Sequence, residues 1–141
     1  MIAVKQRESR LRIVQEHVER EQAHELDALV ATFGDSPEWH HKADGQLMTG
    51  HASIRDFYGG LFNGFPDFWL RIHRTHVADD SIILEGEFGG THRAEWMQLA
   101  PTGRAVTVPF CALFTFTDDD KLKSEIVYYD RLTLLTQLGA A

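Results

Sequence analysis

Apolar residues in this chain keep a helical spacing up to about residue 65 and then switch to a period of two. Residues 5 to 22 are rich in Glu, Arg and Gln, with Leu11, Val14 and Val18 at helical spacing, which predicts a first helix. A second, short helix is expected to carry Leu26, Leu29, Val30 and Phe33 on one face. The segment GDSP at 34 to 37 should end it, since Gly terminates helices and Pro37 cannot continue one. Glu38 to Lys42 reads as a short strand or extended segment. The clearest pattern is the series Ile54, Phe57, Tyr58, Leu61, Phe62 and Phe65. It draws a wide apolar stripe on a third helix from about His51 to Asn63, closed by Gly64 and Pro66.

After Pro66, Phe68, Leu70 and Ile72 alternate with Trp69, Arg71 and His73, as in a strand with two distinct faces. ADDS at 78 to 81 is a turn, and a second strand is expected over Ile82 to Gly89. Thr91 to Leu99 reads as a third strand and PTG at 101 to 103 as another turn. Val106 to Phe116 is a long β-rich run, Asp118, Asp119 and Asp120 form a hairpin tip, and Leu122 to Asp130 is the last strand. Helices first and an antiparallel meander last predict an α+β fold with the helices on one face of a curved sheet.

The 141 residues fit one domain spanning 1–141, and 43% hydrophobic residues suffice for a sizeable core. A formal net charge of -7 without a basic stripe makes nucleic acid a poor partner. No apolar run approaches the roughly 20 residues of a membrane span, and the charged start MIAVKQRESRLR lacks a signal-peptide core. With Cys111 as the only cysteine, no internal disulfide forms, and a cytoplasmic setting is expected.

Asp130 carries the main chemical expectation. Ile126, Tyr128 and Asp130 alternate on one strand face, and a carboxylate facing an apolar cavity has a raised pKa suited to proton transfer. The alternative is that Asp130 caps a short C-terminal helix starting at Leu132. No metal site is expected. His40 and His41 are adjacent, His73 and His76 diverge on a strand, and His17 and His24 lie roughly 10 Å apart along a helix axis. The paired Cys and His motifs of zinc sites are absent. G-x-S-x-G and a phosphate-binding loop are missing too, so no hydrolytic triad or nucleotide cofactor is expected. Tyr58, on the apolar stripe, either faces a pocket or keeps its hydroxyl on backbone in the core. Trp39, Phe57, Phe114 and Tyr128 are candidate pocket-lining aromatics or plain core. His41 is a candidate pocket residue or a partly buried structural histidine.

The layout and several strings resemble the SnoaL-like polyketide (ester) cyclases of the nuclear transport factor 2-like superfamily. The strings are HELDAL at 24 to 29, G-H-x-x-I-R-x-F-Y at 50 to 58, FPDF at 65 to 68, GTH at 90 to 92, PTGRAVTVP at 101 to 109 and YYDRLTLLTQLG at 128 to 139. The resemblance implies a cone-shaped fold in which three N-terminal helices pack on a strongly curved, mixed or antiparallel sheet around one apolar pocket. It implies a cofactor-free enzyme acting on a small hydrophobic substrate, with Asp130 as acid/base for an aldol-type ring closure. His92, at a sheet bend, would be a donor to the substrate carbonyl, or else a surface turn histidine. The stretch VPFCALFTF departs from the family, because it holds no histidine or glutamine where the cyclases place polar groups. A ligand-binding or structural dimer without turnover, and an isomerase or hydroxylase, are the alternatives. Trp, Leu and Val side chains on the sheet face away from the helices predict a homodimer through that face.

Overall fold

The computed structural model describes residues 2–141. Two helices, α1 (Val4–Gln22) and α2 (Leu26–Val30), precede the hairpin of β1 (Phe33–His41) and β2 (Gln46–Thr49). Helix α3 (His51–Gly64) leads into the strands β3 (Trp69–Val77), β4 (Ile82–Thr91), β5 (Ala105–Phe116) and β6 (Leu122–Tyr129). A last helix, α4 (Arg131–Leu138), ends the fold. The strands form one sheet in the order β2-β1-β6-β5-β4-β3. Strands β3 to β6 are the expected antiparallel meander, but β1 pairs with β6 in parallel, so the sheet is mixed. This architecture is the α+β fold of the nuclear transport factor 2 and ketosteroid isomerase type, with an open sheet.

Three local expectations are corrected. Helix α2 ends at Val30, and Phe33 begins β1 instead of extending the helix. GDSP therefore lies inside a strand. There the β1–β6 register shifts between Phe33 and Glu38, and Ser36 adopts a left-handed φ of 50°. A proline in an internal strand is tolerated where the ladder is already interrupted. Strand β2 is four residues long and carries mostly exposed side chains, so it left no alternating signal. Finally, no strand spans Thr91 to Leu99. Thr91 closes β4, and Trp96 and Leu99 exchange backbone hydrogen bonds of 3.1 and 3.0 Å around a tight turn. Met97 and Gln98 both have positive φ there, the geometry of a two-residue hairpin turn.

The helices lie against one face of the sheet. α1 buries Ile13, Val14, His17 and Glu21, and α3 buries Ile54, Tyr58 and Leu61. They meet Leu84 from β4, Val108, Ala112 and Phe114 from β5, and Val127 from β6. Gly86 lets the sheet bend: a Cβ there would lie 2.1 Å from the Arg71 carbonyl oxygen, opposite the register shift in β3 between Ile72 and Arg74. Among the described residues no helix is long and apolar enough to cross a membrane.

Candidate active site

Between α1, α3 and the concave face of the sheet lies a cavity, partly open to solvent, with about 70 Å³ available to the centre of a water-sized sphere. A buried water needs only about 10–15 Å³ by that measure, so there is room for several waters or a compact organic molecule. The wall is apolar: Leu61, Phe68, Leu70, Leu84, Phe88, Trp96, Phe110, Ala112 and Phe114 all contribute. Two polar clusters interrupt it.

The first cluster is centred on Glu125, from the inner face of β6. Its Oε1 accepts a hydrogen bond from Trp39 Nε1–H at 2.8 Å and one from the Tyr58 hydroxyl at 2.7 Å. The same oxygen lies 3.1 Å from His17 Nε2. Oε1 thus collects all three donors and leaves Oε2 for the cavity that Glu125 lines. His17 is held from its other side. Thr32 Oγ1 gives its proton to the Leu29 carbonyl at 2.6 Å, so it accepts from His17 Nδ1–H at 2.9 Å. Glu21, one turn along α1, places Oε1 3.5 Å from the same Nε2. His17 is 0% exposed, Tyr58 1% and Glu125 5%.

Burial alone would lower the His17 pKa. The Glu125 carboxylate, and then Glu21, outweigh that effect and push it up to about 9, so the ring is an imidazolium at neutral pH. Burial raises the Glu21 pKa, reinforced by the charge on Glu125 and offset in part by His17. Burial, and next the Glu125 charge, hold the Tyr58 hydroxyl well above its ordinary value, which keeps it a donor. The environments of the two carboxyl groups therefore differ: one is gripped by three donors, the other is buried beside a like charge. The donor atoms of His17, Glu21 and Glu125 lie within 4.8 Å of one another, a grouping that could suit a metal ion. The three donors on Glu125 Oε1, with His17 Nε2 holding its proton toward that oxygen, make a hydrogen-bonded imidazolium cluster, which the arrangement fits better than a metal ion.

The second cluster is anchored by His41, which follows Trp39 by one strand repeat, about 7 Å, along β1. His41, 2% exposed, donates from Nδ1 to the Asp44 carboxylate at 2.8 Å, and its Nε2 is 2.7 Å from the Tyr129 hydroxyl. Burial lowers the His41 pKa against the opposing pull of Asp44, so the ring is neutral and Nε2 accepts from Tyr129. Phe57 flanks both clusters, with ring centroids 4.4 Å from Trp39 and 5.6 Å from His41.

Trp39, His41, Phe57, Tyr58 and Phe114 line the cavity. Tyr128, Asp130 and His92 do not. The inner face of β6 is Glu125, Val127 and Tyr129, so Ile126 and Tyr128 point outward, with Tyr128 49% exposed. Asp130 follows the strand as an exposed N-cap of α4. Its carboxylate accepts from Leu132 N at 3.0 Å, Thr133 N at 3.4 Å and Thr133 Oγ1 at 2.8 Å. These bonds, the Thr133 hydroxyl foremost, hold its pKa below the usual carboxylate value. The expectation of a carboxylate facing an apolar cavity with a raised pKa is thereby overturned. His92 is not at the pocket mouth. It is fully buried, stacked on Phe65 at 5.2 Å, and its Nδ1 accepts from Thr102 N at 3.3 Å. Burial lowers its pKa.

Sequence reasoning missed His17, Glu21, Glu125 and Tyr129. The α1 signal was there: His17 and Glu21 are one turn apart, in phase with Ile13 and Val14. The β6 signal was not, because Leu122 to Tyr129 has apolar residues in both phases. α1 also supplies the polar groups that the strand VPFCALFTF lacks.

A family profile described as SnoaL-like polyketide cyclase matches residues 11–138. No curated protein sequence matches the chain. Among solved structures, a SnoaL-like protein of Jannaschia sp. CCS1 is similar at 20% identity, with a TM-score of 0.87, over 100% of this chain and 99% of that one. AclR of Streptomyces galilaeus is similar at 20% identity and a TM-score of 0.81, over 96% of this chain and 87% of its own. SalBIII, an epoxide hydrolase/cyclase-like enzyme in salinomycin pyran ring formation, is similar at 17% identity and a TM-score of 0.76, over 89% of this chain and 94% of its own. These likenesses show a shared fold.

Proposed function

Because the chain belongs to the SnoaL-like polyketide cyclase family, we propose that its cavity performs acid/base chemistry at a carbon beside a carbonyl of a small apolar substrate. The observation that carries this is the buried Glu125–His17–Glu21 cluster on the wall of an otherwise apolar cavity. Glu125 Oε2 takes the proton from carbon. Burial raises the Glu21 pKa and so favours its acid form, from which it gives a proton to the oxygen that becomes negative, either the enolate or the alkoxide of a ring closure. Between turnovers the proton on Glu125 Oε2 returns to Glu21 through cavity water, while His17 Nε2, facing both carboxyl groups, steadies whichever of them is ionised. The apolar wall presses the reacting carbons together and excludes water. Asp130 keeps the role of helix cap.

The test is deuterium uptake from D₂O at the activated carbons of 2-tetralone, a compact bicyclic ketone, followed by proton NMR. Wild type is expected to exchange well above the buffer rate, and Glu125→Gln to lose roughly 10²-fold or more. Asp130→Asn should keep the wild-type rate. Loss in Asp130→Asn with retention in Glu125→Gln would return the base to Asp130 and defeat this reading.

We also propose that the chain pairs with a second copy through the outer face of the sheet. Leu113 sits between Ile83 and Ile126 there, beside Cys111 and Tyr128, with no helix over them. An apolar sheet centre of this kind is a site of two-fold pairing. Sedimentation equilibrium should give twice the 16.1 kDa chain mass, with Leu113→Lys reverting it to monomer. A wild-type monomer at micromolar concentration rules the pairing out.

A further inference from the structure

The second cluster has the geometry of an acid/base device in its own right. Asp44 sits in the turn after β1, its side chain 11% exposed, and its Oδ1 also accepts the Gln46 N–H at 3.0 Å, which fixes the carboxylate. That carboxylate can only accept, so His41 carries its proton on Nδ1. Nε2 is then an acceptor, and the Tyr129 hydroxyl 2.7 Å away donates to it. Tyr129 packs edge-on against Phe88 at 5.2 Å and lines the cavity. The charged and titratable groups facing this set are Asp44 and Arg131, the first residue of α4, whose charge opposes a proton on His41.

We infer that Asp44, His41 and Tyr129 form a proton relay that acts on a hydroxyl or enol oxygen of the ligand, with Tyr129 as the group that touches it. The inference rests on the cavity being a ligand site but not on Glu125 being the base. The step balances without any further reactant. The ligand O–H bond breaks as its proton passes to the Tyr129 oxygen. The original Tyr129 proton moves to His41 Nε2, and the imidazolium formed is held by Asp44 while the ligand keeps the negative oxygen. Run backwards, the same relay returns a proton to an oxyanion. Tyr129 is the catalytic residue here, while His41 stores the proton and Asp44 is a positioning residue that fixes the tautomer. With carbon chemistry at the Glu125 end, the substrate class becomes an apolar molecule that carries both a carbonyl and a hydroxyl or enol oxygen.

Two measurements test this. In the free protein, long-range ¹⁵N–¹H correlation NMR should show His41 as the neutral Nδ1–H tautomer, with its Nε2 resonance moving in Tyr129→Phe. An Nε2–H tautomer overturns the relay. With 4-nitrophenol as probe, visible absorbance reports where the proton lies. Bound to wild type at a pH equal to its own pKa, the probe should show a phenolate band beside the phenol band. Tyr129→Phe and Asp44→Asn should lower the bound phenolate-to-phenol ratio by roughly tenfold or more, one pKa unit, while Asp118→Asn, in the exposed turn between β5 and β6, leaves it unchanged. A ratio unchanged in Tyr129→Phe, or lowered equally in Asp118→Asn, overturns the relay and leaves the Glu125 reading standing. Absence of 4-nitrophenol binding to wild type overturns the assignment of a hydroxyl ligand, whereas the 2-tetralone exchange would still report on Glu125.

Discussion

Glu125→Ala is expected to lower the unfolding free energy by about 3–5 kcal/mol, the cost of removing one partner from a buried ion pair. The substitution takes away the carboxylate 3.1 Å from His17 Nε2 and the acceptor of the Trp39 and Tyr58 hydrogen bonds. Trp39 keeps Tyr58 as a partner at 3.0 Å, and Tyr58 can turn to His17 at 3.3 Å, so part of the network survives. His17 is left with burial as its dominant influence and only Glu21 to oppose it, which favours the neutral ring. Urea denaturation would measure the loss. The informative companion is the triple replacement of His17, Glu21 and Glu125 by Leu. Exchanging a whole buried ionic cluster for apolar residues is often neutral or stabilising, so this variant should be at least as stable as wild type, with no deuterium exchange. A Glu125→Ala protein as stable as wild type would show that the cluster is not the buried ion pair described.

Unfolding free energy is expected to fall by roughly 3 kcal/mol between pH 6.5 and 9, the linkage value of the upward shift of His17. His17 is protonated more tightly in the folded chain, with a pKa of about 9, than in the unfolded one at 6.5. Its contribution is therefore complete below pH 6.5 and is lost as pH rises through 9. Glu21 works in the same direction, since burial raises its pKa and the folded state resists its ionisation. His41 and His92 act on the other side. Burial lowers both, so their contribution to stability is lost as pH falls below 6.5. Stability should peak near pH 6.5 and decline on either side. Urea midpoints taken across this range would show it, and His17→Gln should flatten the alkaline limb alone. A profile that is level or rising from pH 6.5 to 9 would mean that His17 is not held as an imidazolium.

What the sequence determined by itself follows from local periodicity. The α3 stripe from Ile54 to Phe65 and the long run of β5 are regular enough to fix their elements and their buried faces. Phe57, Tyr58 and Phe114 could be proposed as pocket residues because each lies in phase with such a face, and Trp39 and His41 as an aromatic and a histidine on the short extended segment before them. The carboxylate could not be chosen the same way. In β6 both phases are rich in apolar residues, since one face covers the cavity and the other forms the apolar outer face of the sheet. Whether Glu125 or Asp130 looks inward depends on the register against β5, where Glu125 pairs with Phe114. Asp130 then falls just beyond the strand, where free N–H groups at the start of α4 capture it. The polar clusters are further still from local reading. Glu125 meets Trp39 and His17 across 86 and 108 positions of chain, and His41 meets Tyr129 across 88. Only the parallel pairing of β1 with β6, and the packing of α1 that brings His17 up to Glu125, place these groups within hydrogen-bond distance.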